Sequence, residues 1–275
     1  MPEKKTGLSI KAEQERLSKE SRFGQTQEIV TAMKEGYVVS VCSIEEYIKE
    51  NFPQESIPEH RNQVDIAQVS GLENNLLGVK IQSGGKELLC VFKPADGEDR
   101  RYKSKEGLNF DFYPRECAAY AVSDHFDLDI VPPTVIREID GQIGALQLFL
   151  SPEYFQNYKN FLDKQFDREE HGQDKREKIK NTEDGQSMAI LDWMLLNNDR
   201  RVENIMVSQE DPLQVIAIDH GLILDVDFYE GHHVYGPSSL LTSKKNEKNG
   251  SRLPVQNEIP QSILEKIQDG LKKEE

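Results

Sequence analysis

The chain has 275 residues and a formal net charge of −15, from 34 basic and 49 acidic side chains, with 36% hydrophobic residues. That length and apolar content suffice for one two-lobed unit with a modest extension, and the acidic excess disfavours nucleic acid and stable docking on anionic lipid. No apolar run approaches the roughly 20 residues needed to span a bilayer, the start Met1-Pro2-Glu3-Lys4-Lys5 lacks a signal peptide's apolar segment, and Cys42, Cys90 and Cys117 show neither zinc-ligand nor disulfide spacing, so a reducing cytoplasm is the expected setting.

Residues 1–62 read as an N-terminal extension. Lys11–Ser21 is polar and helix-prone, Ile29 and Met33 suggest a short helix, Val38-Val39-Ser40-Val41 suggests a strand, and Asn51-Phe52-Pro53 to His60 looks like a connector. Ser70 and Gly71, in Val69–Asn75, can meet phosphate oxygens at a hairpin tip, or form an ordinary Gly/Asn turn. Two strand-like runs, Leu77–Ile81 and Glu87–Lys93, flank Gly84-Gly85, a tight-hairpin signal. Lys93 closes the second run, where a lysine is either an exposed strand terminus or an ammonium held for a purpose. Arg115–Val122 is rich in helix formers with a small apolar face and carries Glu116. Ile143–Leu150 reads as a buried strand, and the charged stretch Asp163–Asp184, with the basic patch Lys175–Lys180, as a solvated helix or mobile loop.

Met188, Leu191, Met194 and Leu195 recur at helical spacing in Gln186–Leu196, so a helix with one buried stripe delivers Asp199 to a loop at its C-terminal end. Ile205–Ser208 and Val215–Ile218 flank a turn at Asp211-Pro212. If Ser208 opposes Val215, and Ile205 opposes Ile218, the next pair outward is Asn204 with Asp219. That register sets an amide oxygen beside a carboxylate, an oxygen cluster suited to Mg²⁺. Leu241–Arg252 reads as a polar loop, and Ile259-Pro260 introduces a last helix with Ile263, Leu264, Ile267 and Leu271 on one face.

Asp199, Asn204 and Asp219 follow the order in which a kinase-type phosphotransferase holds a hydroxyl nucleophile and Mg²⁺-ATP. Each motif alone also reads as a solvated charged loop or an ordinary turn. Glu116 tips Lys93 toward a phosphate-binding role, since kinases orient that lysine with a glutamate from a following helix.

Phe92–Glu98, Arg115–Tyr120, Val131-Pro132-Pro133-Thr134 and Ile218-Asp219-His220-Gly221 together resemble the bacterial branch of the phosphatidylinositol 3-/4-kinase-like group, over roughly residues 66–225. The resemblance implies an α+β, two-lobed protein-kinase-like fold, with a β-rich first lobe at 63–150 and a mainly helical second lobe at 151–275 holding a metal-binding hairpin. It implies ATP and Mg²⁺, with Lys93, Glu116, Asp199, Asn204 and Asp219 at functional positions and Gln147, Leu148, Phe149 and Leu150 as the adenine-binding hinge. Two departures from the protein-kinase pattern are Asn197-Asn198, where a histidine usually precedes the catalytic aspartate, and a metal motif reading Asp-His-Gly. The resemblance does not choose the hydroxyl acceptor. The charge favours a protein side chain or a small polar molecule over an inositol lipid; the alternatives are a phosphoinositide kinase, a nucleotidyl transferase using a flipped ATP, and a nucleotide-binding module without turnover.

Overall fold

The computed structural model describes residues 26–52, 76–97, 111–152, 154–158, 161, 179, 182–197, 199–208, 213–224 and 260–273. Lys11–Ser21, Ser70 with Gly71, most of Asp163–Asp184, and Leu241–Arg252 lie outside them.

Helix α1, Thr26–Glu35, buries Ile29, Val30 and Met33. Strand β1, Tyr37–Ser43, follows and runs directly into helix α2, Ile44–Asn51. Ser43 caps α2, its hydroxyl accepting from the Glu46 N–H at 3.2 Å. The sequence reading passed over this helix, although Ser43-Ile44-Glu45-Glu46 has the pattern of a capping box.

Strands β2, Leu77–Ser83, and β3, Lys86–Pro94, form a hairpin whose turn residues Gly84 and Gly85 have φ of 56° and 79°. Both central residues are left-handed, the turn that matches the strands' own twist and that glycine adopts without steric cost. Helix α3, Tyr113–His125, then leads to strands β4, Thr134–Ile139, and β5, Gln142–Leu148. These strands build one antiparallel sheet in the order β1-β2-β3-β5-β4. Part of the segment read as an extension is therefore an edge strand of this sheet.

The side-chain period of two divides the sheet's faces. Cys90 and Phe92 of β3 pack with α1, while Val91 between them packs with Tyr47 and Ile48 of α2, so the two helices cover opposite faces. Gly78 lies opposite Val91, and a Cβ there would come within 2.1 Å of the Tyr47 ring, so the close approach of α2 requires glycine.

Arg137 on β4 donates to the carbonyls of Met33 and Gly36, the latter at 2.6 Å, and so caps the C-terminal end of α1 with a positive charge. Arg137→Ala is expected to cost about 1–3 kcal/mol, the range for hydrogen bonds from a charged donor, and to speed hydrogen exchange in α1 first. Unchanged protection across residues 26–36 would show that side-chain packing alone holds the helix.

The second half holds strands β6, Phe155–Asn157, β7, Ile205–Ser208, and β8, Val215–Ala217, in that order within a second antiparallel sheet. It also holds helices α4, Glu183–Met194, and α5, Gln261–Lys272. A core formed by Ala119 of α3, Met188 and Leu191 of α4, Ile205, Val207, Val215, Ala217 and Ile263 of α5 joins these elements. The last helix turns inward the face its apolar spacing suggested, with Ile263 buried and Leu264 and Ile267 half-buried, except at its end, where Leu271 is exposed and Gly270 seats against the Phe126 ring. Among the described residues no helix is long and apolar enough to cross a membrane.

Candidate active site

Lys93 sits one residue from the end of β3, and Glu116 lies in the first turn of α3. The Lys93 Nζ is 2.5 Å from Glu116 Oε1 and 3.5 Å from Asp219 Oδ1. Burial opposes charge on both Lys93 and Glu116 but is outweighed. The two carboxylates hold the ammonium's pKa above its ordinary value, and Lys93 with His220 holds Glu116 well below the usual carboxylate range. Glu116 Oε2 accepts the backbone N–H of His220 at 3.0 Å, so one carboxylate joins β3 to the Asp219-His220-Gly221 segment. Arg115, its neighbour, donates to the Ile223 carbonyl at 2.6 Å and fastens the chain beyond that segment.

The loop carrying Asp199 leaves α4 through a Schellman turn. Asn197 N–H donates to Asp192 O at 2.8 Å and Leu196 N–H to Trp193 O at 3.4 Å, with Leu196 at φ 51°. A leucine in this conformation costs of order 1 kcal/mol. Asn197 is buried. Its amide donates to Asp192 Oδ1 at 2.8 Å, and its amide oxygen accepts the Asp199 N–H at 3.0 Å.

Arg200 is the hub of this loop. Its Nε and Nη2 donate to the Asp192 carboxylate at 3.0–3.2 Å, and Nη1 donates to the carbonyls of Asn204 and Ile218 at 2.6 and 2.7 Å. Nη2 also lies 2.8 Å from His220 Nε2. A guanidinium has only donors, so Nε2 is the acceptor and the imidazole proton is on Nδ1. Burial holds the His220 pKa below its ordinary value, with Glu116 opposing and Arg200 adding to the effect.

The sequence reading missed Asp192, Arg200 and His220 as a unit. A signal was present, because Asp192 occupies the stripe of Met188, Leu191 and Leu195, and a carboxylate on a buried stripe demands a buried cation.

Asp199 is held by Arg201, with Nε 2.9 Å from Oδ1 and Nη2 3.1 Å from Oδ2, and by Asn204, whose amide donates to its carbonyl at 2.7 Å and to Oδ2 at 3.2 Å. Burial raises the Asp199 carboxyl above its ordinary pKa; Arg201 opposes the rise and the nearby Asp219 charge adds to it.

The hairpin register differs by one residue from the expected one. Ile205 pairs with Ala217, Met206 with Ile216 and Val207 with Val215. Asn204 therefore faces Ile218, whose N–H donates to its carbonyl at 3.1 Å, and Asp219 lies one position beyond. Every residue of β7 and β8 is buried, so no polar and apolar alternation marks one face and the sequence pattern cannot choose between registers. Asp219 has φ of 57°, and its Oδ1 lies 3.5 Å from Lys93 Nζ.

At the suggested hinge, the Gln147 amide donates to the Thr134 hydroxyl at 3.0 Å. The N–H groups of Leu148 and Phe149 donate to the carbonyls of Pro133 and Leu89. These groups are committed to the sheet. Leu150, beyond the strand's end, clusters with Met206, Ile216 and Ile218, an apolar floor one residue from Asp219.

Among the described residues no three His, Cys, Asp or Glu side chains form a metal cage. Asp219 is about a quarter exposed, and Asn204 adds an amide. One carboxylate and one amide oxygen suit Mg²⁺, which retains waters and shares its sphere with phosphates.

The sequence profile of the family described as Phosphatidylinositol 3- and 4-kinase matches residues 103–260. The chain is 29% identical, over 203 residues, to a rice (Oryza sativa subsp. japonica) protein named Phosphatidylinositol 4-kinase gamma 4, a match covering 58% of this chain and 33% of that protein. It is 37% identical over 67 residues to Protein Rv2133c of Mycobacterium tuberculosis (strain ATCC 25618 / H37Rv), covering 24% of this chain and 23% of that one. The matches thus span a third or less of these relatives' lengths.

Proposed function

Because the chain belongs to the phosphatidylinositol 3- and 4-kinase family, and so to the protein-kinase-like fold, we propose that it is an ATP- and Mg²⁺-dependent phosphotransferase that moves the γ-phosphate to a hydroxyl acceptor. The observation that carries this reading is the meeting of Lys93, Glu116 and Asp219 from three separate elements, with Asp219 Oδ1 3.5 Å from Lys93 Nζ.

In this reading Lys93, held by Glu116, binds the nucleotide phosphates, and Asn204 and Asp219 hold Mg²⁺. The metal supplies neutralisation of charge on the phosphate oxygens. Asp199 orients the acceptor hydroxyl and takes its proton, a role helped by its raised pKa. Arg201, half-exposed, yields one carboxylate oxygen for this to happen. Leu150, Met206, Ile216 and Ile218 offer an apolar surface to the base, and Ser70 and Gly71 remain the proposed phosphate-covering loop. The lobes divide at 63–150 and 151–275, with β1 of the extension completing the first sheet.

The acceptor we propose is soluble, a protein side-chain hydroxyl or a small polar molecule, on the strength of the net charge of −15. A phosphoinositide is the second reading, favoured by the name of the rice relative. ATP labelled separately at the α- and γ-phosphates, incubated with soluble lysate and with phosphoinositide vesicles, distinguishes them. Transfer of γ-label to soluble product supports the first reading. Robust vesicle binding with labelled lipid alone supports the second, transfer of α-label indicates nucleotidyl transfer, and no transfer with nucleotide bound indicates a binding module.

Mg²⁺-ATP at about 100 times its dissociation constant is expected to add roughly 2.7 kcal/mol of stability, visible as a melting shift. Asp219→Asn should lose most of that shift. Equal shifts in both proteins, with and without Mg²⁺, would remove Asp219 from the metal site.

A further inference from the structure

His220 is fully buried, and its Nδ1 finds no hydrogen-bond partner among the described residues. A buried N–H left unpaired is rare and costly. With Nε2 accepting from Arg200 at 2.8 Å, the Nδ1 proton is fixed in place, and Nδ1 stands 3.8 Å from Glu116 Oε2, just beyond hydrogen-bond reach. The same oxygen already accepts the His220 backbone N–H, while Oε1 is paired with Lys93 at 2.5 Å.

We propose that His220 is a positioning residue for the phosphate-binding pair, its Nδ1–H held in reserve by Arg200 for Glu116. The proposal rests on the phosphotransferase reading above. When nucleotide phosphates draw on the Lys93 ammonium, Glu116 keeps its negative charge but loses part of its compensation. The waiting Nδ1–H closes the gap and replaces it. Glu116 then stays in place while Lys93 turns its charge toward the phosphates. Because Arg200 also binds the carbonyls of Asn204 and Ile218, the same imidazole ties the position of the phosphate-binding lysine to the loop that carries Asp199.

The test is the imidazole spectrum of the unaltered chain labelled with ¹⁵N-histidine, with the His220 signals assigned by their loss in His220→Asn. The nucleotide-free protein should show a neutral ring protonated at Nδ1. Adding Mg²⁺ and a non-hydrolysable ATP analogue should move that Nδ1 proton downfield as the bond to Glu116 forms. His220→Phe should weaken binding of the analogue about 10-fold or more, the range for a hydrogen bond to a charged group. His220→Asn, which keeps an N–H on the Glu116 side, should restore most of the affinity. A ring protonated at Nε2, or an Nδ1 proton unmoved by saturating analogue, overturns the proposal whatever the affinities of the two variants. If the unaltered chain binds no analogue, the phosphotransferase reading fails first. If it binds while the signal stays still, only the role of His220 is lost.

Discussion

Asp199→Ala is expected to lower phosphoryl transfer by about 10²-fold or more, the lower range for loss of a positioned acid–base group, while nucleotide affinity stays within a few-fold. The separation follows from geometry. Lys93 meets Glu116 and Asp219, whereas the contacts of Asp199 are with Arg201, Asn197 and Asn204 on its own loop. Removing the carboxylate leaves the backbone carbonyl that also receives the Asn204 amide, so the loop retains an anchor. Its raised pKa places the group nearer the range where proton acceptance is efficient. Single-turnover transfer from γ-labelled ATP, measured beside equilibrium binding of the nucleotide, separates the two effects. Full transfer by the alanine variant would mean that some other group meets the acceptor hydroxyl.

Arg200→Met is expected to destabilise the protein by about 3–5 kcal/mol, the cost of breaking a buried ion pair by removing one partner. Both side chains are almost wholly buried, so the Asp192 carboxylate would remain in the core without its cation. The carbonyls of Asn204 and Ile218 and the Nε2 of His220 would lose a donor at the same time. Such a loss is a large share of the total stability of an ordinary domain. Arg200→Met combined with Asp192→Leu should be less damaging than Arg200→Met alone, because the stranded charge is gone and apolar contact replaces it. Urea unfolding of the three proteins gives the comparison. A change below about 1 kcal/mol in the single variant, within the range of an exposed ion pair, would show that water reaches Asp192.

What the sequence makes legible here is local. Gly84-Gly85 between two apolar runs specifies a hairpin because its turn needs two left-handed residues, and the stripe of Met188, Leu191 and Leu195 specifies a helix ending at the Asp199 loop. The meeting of Lys93 with Glu116 was expected from the kinase pattern, in which a glutamate of a following helix orients a strand lysine, and not from the local sequence alone. The pairing of β7 with β8 was not legible, since both strands are buried on both faces and a one-residue slip leaves the apolar pattern equally satisfied. Of the Arg200 hub, only the need for a cation beside Asp192 was marked in the sequence, since its other partners include backbone carbonyls that carry no residue-specific signal. The outward turn of Leu271 has the same origin. Spacing alone ranked it with Ile263 and Ile267, but the neighbouring Phe126 ring admits only the glycine beside it.

The strand from the segment before residue 62 bears on how this protein is to be cut. A fragment beginning at residue 63, the boundary expected from the sequence, would lack β1 together with both flanking helices. The backbone groups of β2 that now pair with β1 would lie open to solvent along their length. Val79, Ile81 and Phe92 on one face, and Val91 with Phe149 on the other, would lose their cover at once. An apolar strand left open at the margin of a sheet is a template for addition of another chain. Such a fragment is expected to self-associate, which size-exclusion chromatography beside the whole chain would show.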